Sequence, residues 1–346
     1  MTANALLLML LSGWVLQRGL ATGEPPVVAG PVTARPTPTT APIAIPTRKA
    51  ILAPPGQRFG LSAPEVPWSS AEINRIAEQA GVVPTLLQFF IHWNDPMRFD
   101  AIAASYAKGA IPVMSWEPWA GRAAGEDQPE YALARIIAGE FDDYLTTVAT
   151  GIRDQRYPVV IRFAHEMNGH WYPWSEQRSG NQPGEFVRAW RHVHDVFDRV
   201  GATNVVWVWS PNILRPVPTV SLADLYPGDE YVDWVGLVGY AVGEATAAEV
   251  FEPTMQAVRA FTQRPFLITE TGAAPGPAKA PWISDFFAWL PQHPDVVGAI
   301  WFEFSTADGG TEDWRLTETP ETAAAFRAGA SQVAWAPPLP IPAGRR

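Results

Sequence analysis

Residues 159–174 read VVIRFAHEMNGHWYPW. The first five residues form a run of β-branched and apolar side chains that only Arg162 interrupts. Such a run is typical of a strand in a parallel sheet that is covered on both faces. A histidine and a carboxylate, His165 and Glu166, follow at once, and three aromatic residues lie within the next eight positions. The segment therefore predicts a buried strand whose carboxyl end carries functional groups.

Seven more apolar runs of this kind occur in the chain, and stretches of helical periodicity or loop composition separate them. The eight runs are 58–62, 85–93, 110–119, 158–166, 204–212, 233–240, 264–272 and 296–305. Helices are predicted between them, most clearly at 69–81, 184–201 and 281–292. Eight strands that alternate with crossover segments predict an α/β fold, a single (β/α)8 or TIM barrel. The alternative is an open doubly wound sheet, but no glycine-rich nucleotide-binding motif supports it.

The two ends of the chain differ in composition from this region. An apolar segment, ALLLMLLSGWVL at 5–16, predicts a signal peptide over residues 1–23, with an uncleaved membrane anchor as the alternative. Residues 24–57 are rich in Pro, Thr and Ala, which predicts a disordered linker. The folded domain is then expected at 58–330, followed by a Pro-rich tail at 331–346. We expect a secreted, periplasmic or cell-surface protein with no membrane contact beyond the N-terminal segment.

The charge and the cysteine count exclude several classes of function. The 35 acidic and 25 basic residues give a net charge of −10, which argues against nucleic acid or an anionic membrane as partner. The chain has no cysteine, so thiol catalysis, disulfides and zinc–thiolate sites are excluded. No residue spacing indicates a metal site. We expect a monomer that needs neither metal nor cofactor.

The strand ends collect carboxylates and indoles, whereas the strand starts are aliphatic. Glu117, Glu166, Glu270 and Glu303 all fall at the ends of predicted strands, where the catalytic residues of barrels lie. Two neighbouring carboxylates with aromatic platforms for the sugar are what hydrolysis of a glycosidic bond needs. The residues alone do not choose a pair among the four.

Strand parity gives a partial guide to which groups meet. Arg162, Ala164 and Glu166 are predicted to share one face of their strand, and Ile268 and Glu270 to share one face of theirs. A buried guanidinium favours an ionised carboxylate beside it. The general acid must instead be kept protonated by burial and by the charge of its partner.

Several segments together resemble one known family. HEMNGHWYPW after the IRF strand, followed by AWRHVHDVF, NVVWVWSPN, VGLVGY and ITETG, resembles glycoside hydrolase family 26, which contains β-mannanases and related endo-β-glycanases. The resemblance implies retaining hydrolysis of a β-linked polysaccharide, with Glu166 as acid/base and Glu270 as nucleophile. It also implies that Arg162 and His165 line the central subsite, and that Tyr240 donates a hydrogen bond to the nucleophile.

The resemblance also names aromatic platforms and shows one departure. Trp171 and Trp301 match aromatic residues that stack on the sugar. Family mannanases usually carry Ser-Trp-His at the end of the third strand, whereas this chain has Ser115-Trp116-Glu117, so we count Trp116 and Glu117 as candidate substrate-binding residues.

This departure leaves the substrate open. The leading hypothesis is endo-β-1,4-mannanase activity on mannan or glucomannan. The alternatives are a mixed-linkage β-1,3-1,4-glucan or an exopolysaccharide as substrate, and a non-catalytic polysaccharide-binding barrel.

Overall fold

The computed structural model describes residues 45–340. Within this range eight parallel strands form a closed barrel in which each strand pairs with its sequence neighbours and the last pairs with the first. The strands are β1 (Arg58–Ser62), β2 (Leu86–His92), β3 (Ile111–Glu117), β4 (Val159–Phe163), β5 (Val205–Trp209), β6 (Trp234–Ala241), β7 (Phe266–Ala273) and β8 (Val296–Phe302). The predicted (β/α)8 barrel is therefore confirmed, and all eight strands overlap the predicted runs.

Helices cover the outside of the barrel. In the described part they are α1 (Arg48–Leu52), α2 (Ser70–Ala80), α3 (Phe99–Ala107), α4 (Leu133–Ile137), α5 (Asp142–Gln155), α6 (Glu185–Val200), α7 (Ala247–Arg259), α8 (Lys279–Trp289) and α9 (Pro320–Ala330). Local sequence signals explain their ends. For example, the side chain of Ser69 accepts a hydrogen bond from Glu72 N at the start of α2, and Gly81 ends that helix in a left-handed conformation.

The barrel interior has an apolar lower layer and a polar upper layer. Aliphatic side chains such as Ile111, Val113 and Val206 fill the amino-terminal half. The layer above them consists of Gln88, Ser115, Arg162, Ser210 and Thr269, which hydrogen bonds connect. This polar layer lies directly below the carboxyl ends of the strands, where the candidate site is found.

Residues 45–57 are folded, which corrects the prediction of a disordered linker up to residue 57. Ile51 of α1 is fully buried and belongs to the apolar cluster inside the barrel. Arg48 fixes the helix by donating to Val205 O at 2.6 Å and pairing with Asp233 at 2.5 Å. Burial of Ile51 and the contacts of Arg48 thus help to hold a segment whose proline content suggested disorder.

The segment after α9 also packs on the barrel, in contrast to the predicted tail. Ala336 N donates to Gln57 O at 2.7 Å, and Leu339 N donates to Gly109 O at 2.8 Å. The predicted signal peptide at 1–23, the first part of the predicted linker and residues 341–346 lie outside the described residues. None of the helices within residues 45–340 has the length and hydropathy needed to cross a lipid bilayer.

Candidate active site

The backbone turns sharply where β4 ends. Ala164 and Glu166 have φ values of 44° and 54°, in the left-handed region that residues other than glycine rarely adopt. Two hydrogen bonds hold this turn: Glu166 N donates to Ser210 O, and Trp174 Nε1 donates to His165 O, each at 2.7 Å. Backbone strain of this kind is typical of functional sites. Here it brings the Glu166 carboxyl to the rim of the barrel.

Two donors contact the Glu166 carboxyl. Asn212, just beyond β5, donates to Oε1, and Trp171 Nε1 donates to Oε2 at 3.1 Å. Asn212 is itself fixed to the turn, because its backbone N–H and C=O both pair with the Asn168 side chain, at 2.8 and 2.9 Å. Gly169 is needed here because a Cβ at this position would lie 2.4 Å from the Trp171 ring. The acid, its donors and the turn therefore form one connected unit.

The surroundings of Glu166 favour its protonated form. The side chain is 8% exposed, and burial first, then the charge of Glu270, raise its pKa to about 7. The hydrogen bond from Asn212, the charge of Arg162 and the bond from Trp171 act in the opposite direction. Burial wins, so this carboxyl can hold a proton near neutral pH.

A β-bulge in β7 turns the Glu270 carboxyl into the barrel mouth. The pairing with β6 shifts between Ile268 and Glu270, which leaves Thr269 as the extra residue. Thr269 therefore faces inward, and its Oγ1 lies 2.8 Å from Ser210 Oγ. Glu270 also faces inward, whereas Ile268 packs in the outer core. The expectation that Ile268 and Glu270 share one face is wrong, because the bulge breaks the alternation of side chains.

Glu270 is held by one cation and one phenol. Arg162 Nη1 donates to Oε1 at 2.6 Å, and Tyr240 Oη donates to Oε2 at 2.7 Å. Arg162 is fully buried and is oriented by Ser210 and Ser115, each at 3.0 Å. Both oxygens of the Glu270 carboxyl therefore accept a hydrogen bond, one of them from a cation.

Glu117 is the third carboxyl at the rim, and it is 4% exposed. Its Oε2 lies 3.1 Å from His92 Nε2, and its Oε1 lies 3.7 Å from His165 Nε2. The hydrogen bond to Glu117 raises the pKa of His92 above its ordinary value. Burial, followed by the charge of Arg162, lowers the pKa of His165 well below its ordinary value. His165 is therefore neutral at the centre of the site, and its Nε2 lies 3.2 Å from Tyr172 Oη.

Trp116 and Trp301 do not reach the site, which corrects their prediction as substrate-binding residues. Trp116 is fully buried on the outer side of β3, and its ring centroid lies 5.8 Å from that of Phe163. Trp301 is 1% exposed, and its ring centroid lies 5.0 Å from that of Phe326 in α9. Both residues alternate with inward-facing neighbours along their strands, so they face the helices.

The partly exposed aromatic residues at the rim are different ones. Trp171 is half-buried beside Glu166. Phe302, also half-buried, lies 5.9 Å from the Tyr240 ring and 6.5 Å from Phe90. Phe302, Phe90 and the donor Asn212 were not among the predicted site residues. Their sequence signal is the position at a strand end or just beyond it, which does not distinguish them from their buried neighbours.

Glu303 lies outside the site, behind β8. It is 2% exposed, and its carboxyl accepts hydrogen bonds from Leu316 and Thr317. Within residues 45–340, no group of three or more His, Asp or Glu side chains is arranged to hold a metal ion.

Comparison with known proteins gives a family match. The model of the family described as glycosyl hydrolase family 26 matches residues 75–291. Endoglucanase H from Acetivibrio thermocellus is 31% identical over 276 residues, which cover 75% of this chain and 29% of that protein. A mannan endo-1,4-beta-mannosidase from Bacillus subtilis is 34% identical over 104 residues, 28% of each chain. The chain thus spans less than a third of the length of either relative.

A solved structure agrees with the fold. The GH26 beta-mannanase from Bacteroides ovatus superimposes with a TM-score of 0.58 at 17% identity, over 80% of this chain and 88% of that one. At this identity the likeness shows the barrel fold alone.

Proposed function

This chain belongs to glycosyl hydrolase family 26, and we propose that it cleaves a β-1,4-linked mannan or glucomannan internally with retention of anomeric configuration. Glu166 is the general acid/base and Glu270 is the nucleophile in this proposal. No cofactor takes part, because both steps need only a proton donor and a carboxylate.

One observation carries the proposal: the two carboxyls at the barrel mouth have opposite electrostatic surroundings. Burial raises the pKa of Glu166 to about 7, whereas Glu270 contacts the buried Arg162 and Tyr240. A protonated acid beside an ionised carboxylate is the arrangement that glycosidic bond cleavage requires. A protein that only bound polysaccharide would have no use for this difference.

In the first step, the Glu270 carboxylate attacks the anomeric carbon while Glu166 gives its proton to the departing glycosidic oxygen. The bond from carbon to that oxygen breaks, and a glycosyl ester forms on Glu270. In the second step, Glu166 takes a proton from water, which attacks the same carbon and releases Glu270. Asn212 and Trp171, which contact both Glu166 oxygens, hold the carboxyl in place through both steps.

Arg162 and Tyr240 orient Glu270 from two sides. Because both donors are fixed before substrate arrives, Glu270 needs little rearrangement to attack. The bond from Arg162 has to weaken as the carboxylate loses its charge to the ester, so Arg162 also stabilises Glu270 when it departs in the second step.

The charge of the site favours a neutral polysaccharide. Glu117, Glu166 and Glu270 are buried at the rim, and Arg162 forms an ion pair with Glu270 alone among them. A carboxylated sugar would bring a further negative charge to this site, which like-charge repulsion disfavours.

A β-1,3-1,4-glucan is the second candidate substrate. Glu117 supports it, because this carboxylate stands where mannanases of the family usually have a histidine. One relative, which matches 75% of this chain, is named an endoglucanase. Glu117 would accept a hydrogen bond from a sugar hydroxyl, and the orientation of that hydroxyl would then decide between the two sugars.

The test is a substrate panel in which wild type is compared with Glu270→Ala and Glu166→Ala. Glucomannan, galactomannan, lichenan and carboxymethylcellulose are incubated with each, and reducing ends and product anomers are followed by NMR. We expect β-anomers from a neutral substrate with wild type and no turnover with Glu270→Ala. With an activated aryl glycoside, azide should restore the activity of Glu166→Ala, and the product should be a β-glycosyl azide. Initial α-anomers would refute retention, and binding without cleavage of any polysaccharide would leave the binding-barrel alternative.

We further propose that the protein is exported and acts as a monomer. The apolar segment at 5–16 supports export. Amino-terminal sequencing of protein recovered from the medium or periplasm, and its mass by light scattering, test both points. An intact amino terminus in the cytosolic fraction, or a dimer mass, would contradict them.

A further inference from the structure

A buried carboxyl behind the site fixes a loop that touches the active-site tyrosine. Glu303 accepts from Leu316 N at 2.7 Å and from Thr317 N at 3.2 Å, and Thr317 Oγ1 donates to it as well. All three donors belong to residues 313–318, which we call the Trp314 loop. The proposed mechanism gives Glu303 no role.

A buried cation fixes both ends of the same loop. Lys279 at the start of α8 is 1% exposed, and its Nζ donates to Asp313 O and to Glu318 Oε2, each at 2.6 Å. Buried charges are costly unless hydrogen bonds satisfy them. Glu303 and Lys279 together therefore hold the loop through five hydrogen bonds.

The loop carries Trp314 to the back of the nucleophile. Its ring centroid lies 4.4 Å from that of Tyr240, and Trp314 N donates to Phe304 O at 2.9 Å. A Cβ added to Gly272, two residues after Glu270, would lie 3.2 Å from the Trp314 side chain. Trp314 therefore contacts both the phenol that binds Glu270 and the strand that carries Glu270.

We propose that Glu303 is a positioning residue for the nucleophile, acting through the Trp314 loop on the hydrogen bond from Tyr240 to Glu270. Tyr240 is half-buried. Because the Trp314 ring packs against its ring, Trp314 limits the tilt of the phenol on that side. If the loop relaxes, the phenol moves and the bond to Glu270 lengthens. This proposal rests on the assignment of Glu270 as nucleophile.

The alternative is that Glu303 only stabilises the fold, and a double-mutant cycle separates the two roles. Glu303→Gln keeps the shape of the side chain but puts an NH2 group against a backbone N–H donor. We expect kcat to fall about tenfold with KM within about twofold. In the Tyr240→Phe background, which lacks the hydroxyl, Glu303→Gln should lower kcat less than about twofold. The effects of two substitutions do not add when both act on the same interaction. An equal loss in both backgrounds would overturn the proposal.

Two further variants keep the test interpretable. Glu312→Gln changes an exposed carboxyl next to the same loop and should alter neither kcat nor KM. Thr317→Val removes one donor to Glu303 and leaves the carboxyl and its two backbone donors in place, so it should give a smaller loss with the same dependence on Tyr240. If Glu303→Gln does not fold, Thr317→Val alone decides the cycle.

A measurement that needs no substrate separates this proposal from the proposed function. The chain has eight tyrosines, so the 13C resonance of the Tyr240 phenol carbon can be assigned from its loss in Tyr240→Phe. Glu303→Gln should shift this resonance, and Glu312→Gln should not. An unmoved resonance would refute the positioning role even in an active enzyme. A shifted resonance in a protein that cleaves no glycan would refute only the proposed function.

Discussion

The hydrogen bond from Asn212 to Glu166 sets the alkaline limit of activity in our account. Glu166 must carry a proton to act as general acid, so kcat/KM should decline above its pKa of about 7. Asn212 donates to this carboxyl and stabilises its charged form, which lowers the pKa. Asn212→Ala removes the donor and keeps the backbone bond to Asn168. The pKa of Glu166 should therefore rise.

The size of the rise follows from the strength of the bond. A hydrogen bond to a charged group contributes about 1.5 to 3 kcal/mol, and one pKa unit corresponds to about 1.4 kcal/mol, so the shift is about one to two units. The alkaline limb of kcat/KM should thus move from about 7 to between about 8 and 9. The maximum rate will fall if Asn212 also binds substrate, but the position of the limb does not depend on it.

The assay is the pH dependence of kcat/KM on a soluble substrate between pH 4 and 10, chosen as roughly the range in which a buried carboxyl titrates. Trp171→Phe removes the second donor to Glu166, which lies at 3.1 Å, and should give a smaller shift in the same direction. Glu270→Gln removes a charge that raises the pKa of Glu166, so NMR titration of that variant should give a lower value. An alkaline limb that stays in place or moves to lower pH in Asn212→Ala would refute the reasoning.

Three further predictions concern packing and stability. Phe302→Ala should raise KM about tenfold by removing an aromatic contact with the sugar, whereas Trp301→Ala should cost about 3 to 5 kcal/mol of stability and leave KM unchanged. Ile51→Ala should cost about 2 to 5 kcal/mol in urea unfolding, because it empties the lower end of the barrel. Glu166 and Glu303 both have pKa values raised from 4.5 to about 7. Each therefore contributes about 3 kcal/mol to the free energy of unfolding, which is fully present below pH 4.5 and is lost as the pH rises through about 7. The midpoint of thermal unfolding should fall across this window, and Glu166→Gln should make the fall smaller.

A control variant for Ile51→Ala and a contrary result for each of the other two predictions make them testable. Ile45→Ala, at a side chain that is 43% exposed, should leave urea unfolding unchanged. A higher KM in Trp301→Ala than in Phe302→Ala would restore Trp301 as the platform. A thermal midpoint that rises between pH 5 and 7 would show that groups other than the two raised carboxyls dominate, since folded carboxyls of raised pKa bind more protons than unfolded ones.

The fold could be predicted because its signals are repeated and local. Eight apolar runs with intervening helical periodicity leave few alternatives to a barrel. The caps at Ser69 and Gly81 set the ends of α2 within one residue. Composition was a poorer guide at the ends of the barrel domain, since Ile51 and Leu339 contribute to its interior cluster from proline-rich segments.

The site could be predicted only to the level of the strand end. Parity cannot set the direction of Glu166, because β4 ends at Phe163 and the left-handed residues that follow determine where the side chain points. It fails for Glu270 because of the bulge at Thr269. The family resemblance implies a sugar platform at Trp301, but this residue alternates with the inward-facing Phe302 and packs against Phe326 of α9.

The way α1 and the last described residues pack has a practical consequence for handling the enzyme. Ile51 closes the amino-terminal end of the barrel, and Leu339 packs beside it against the same cluster, whereas Glu166 and Glu270 lie at the opposite end. Both ends of the described chain therefore leave the molecule on the face away from the cleft. An affinity tag, a resin or a fused binding module joined directly at residue 45 or at residue 340 would thus be attached on the side away from the path of a long polysaccharide.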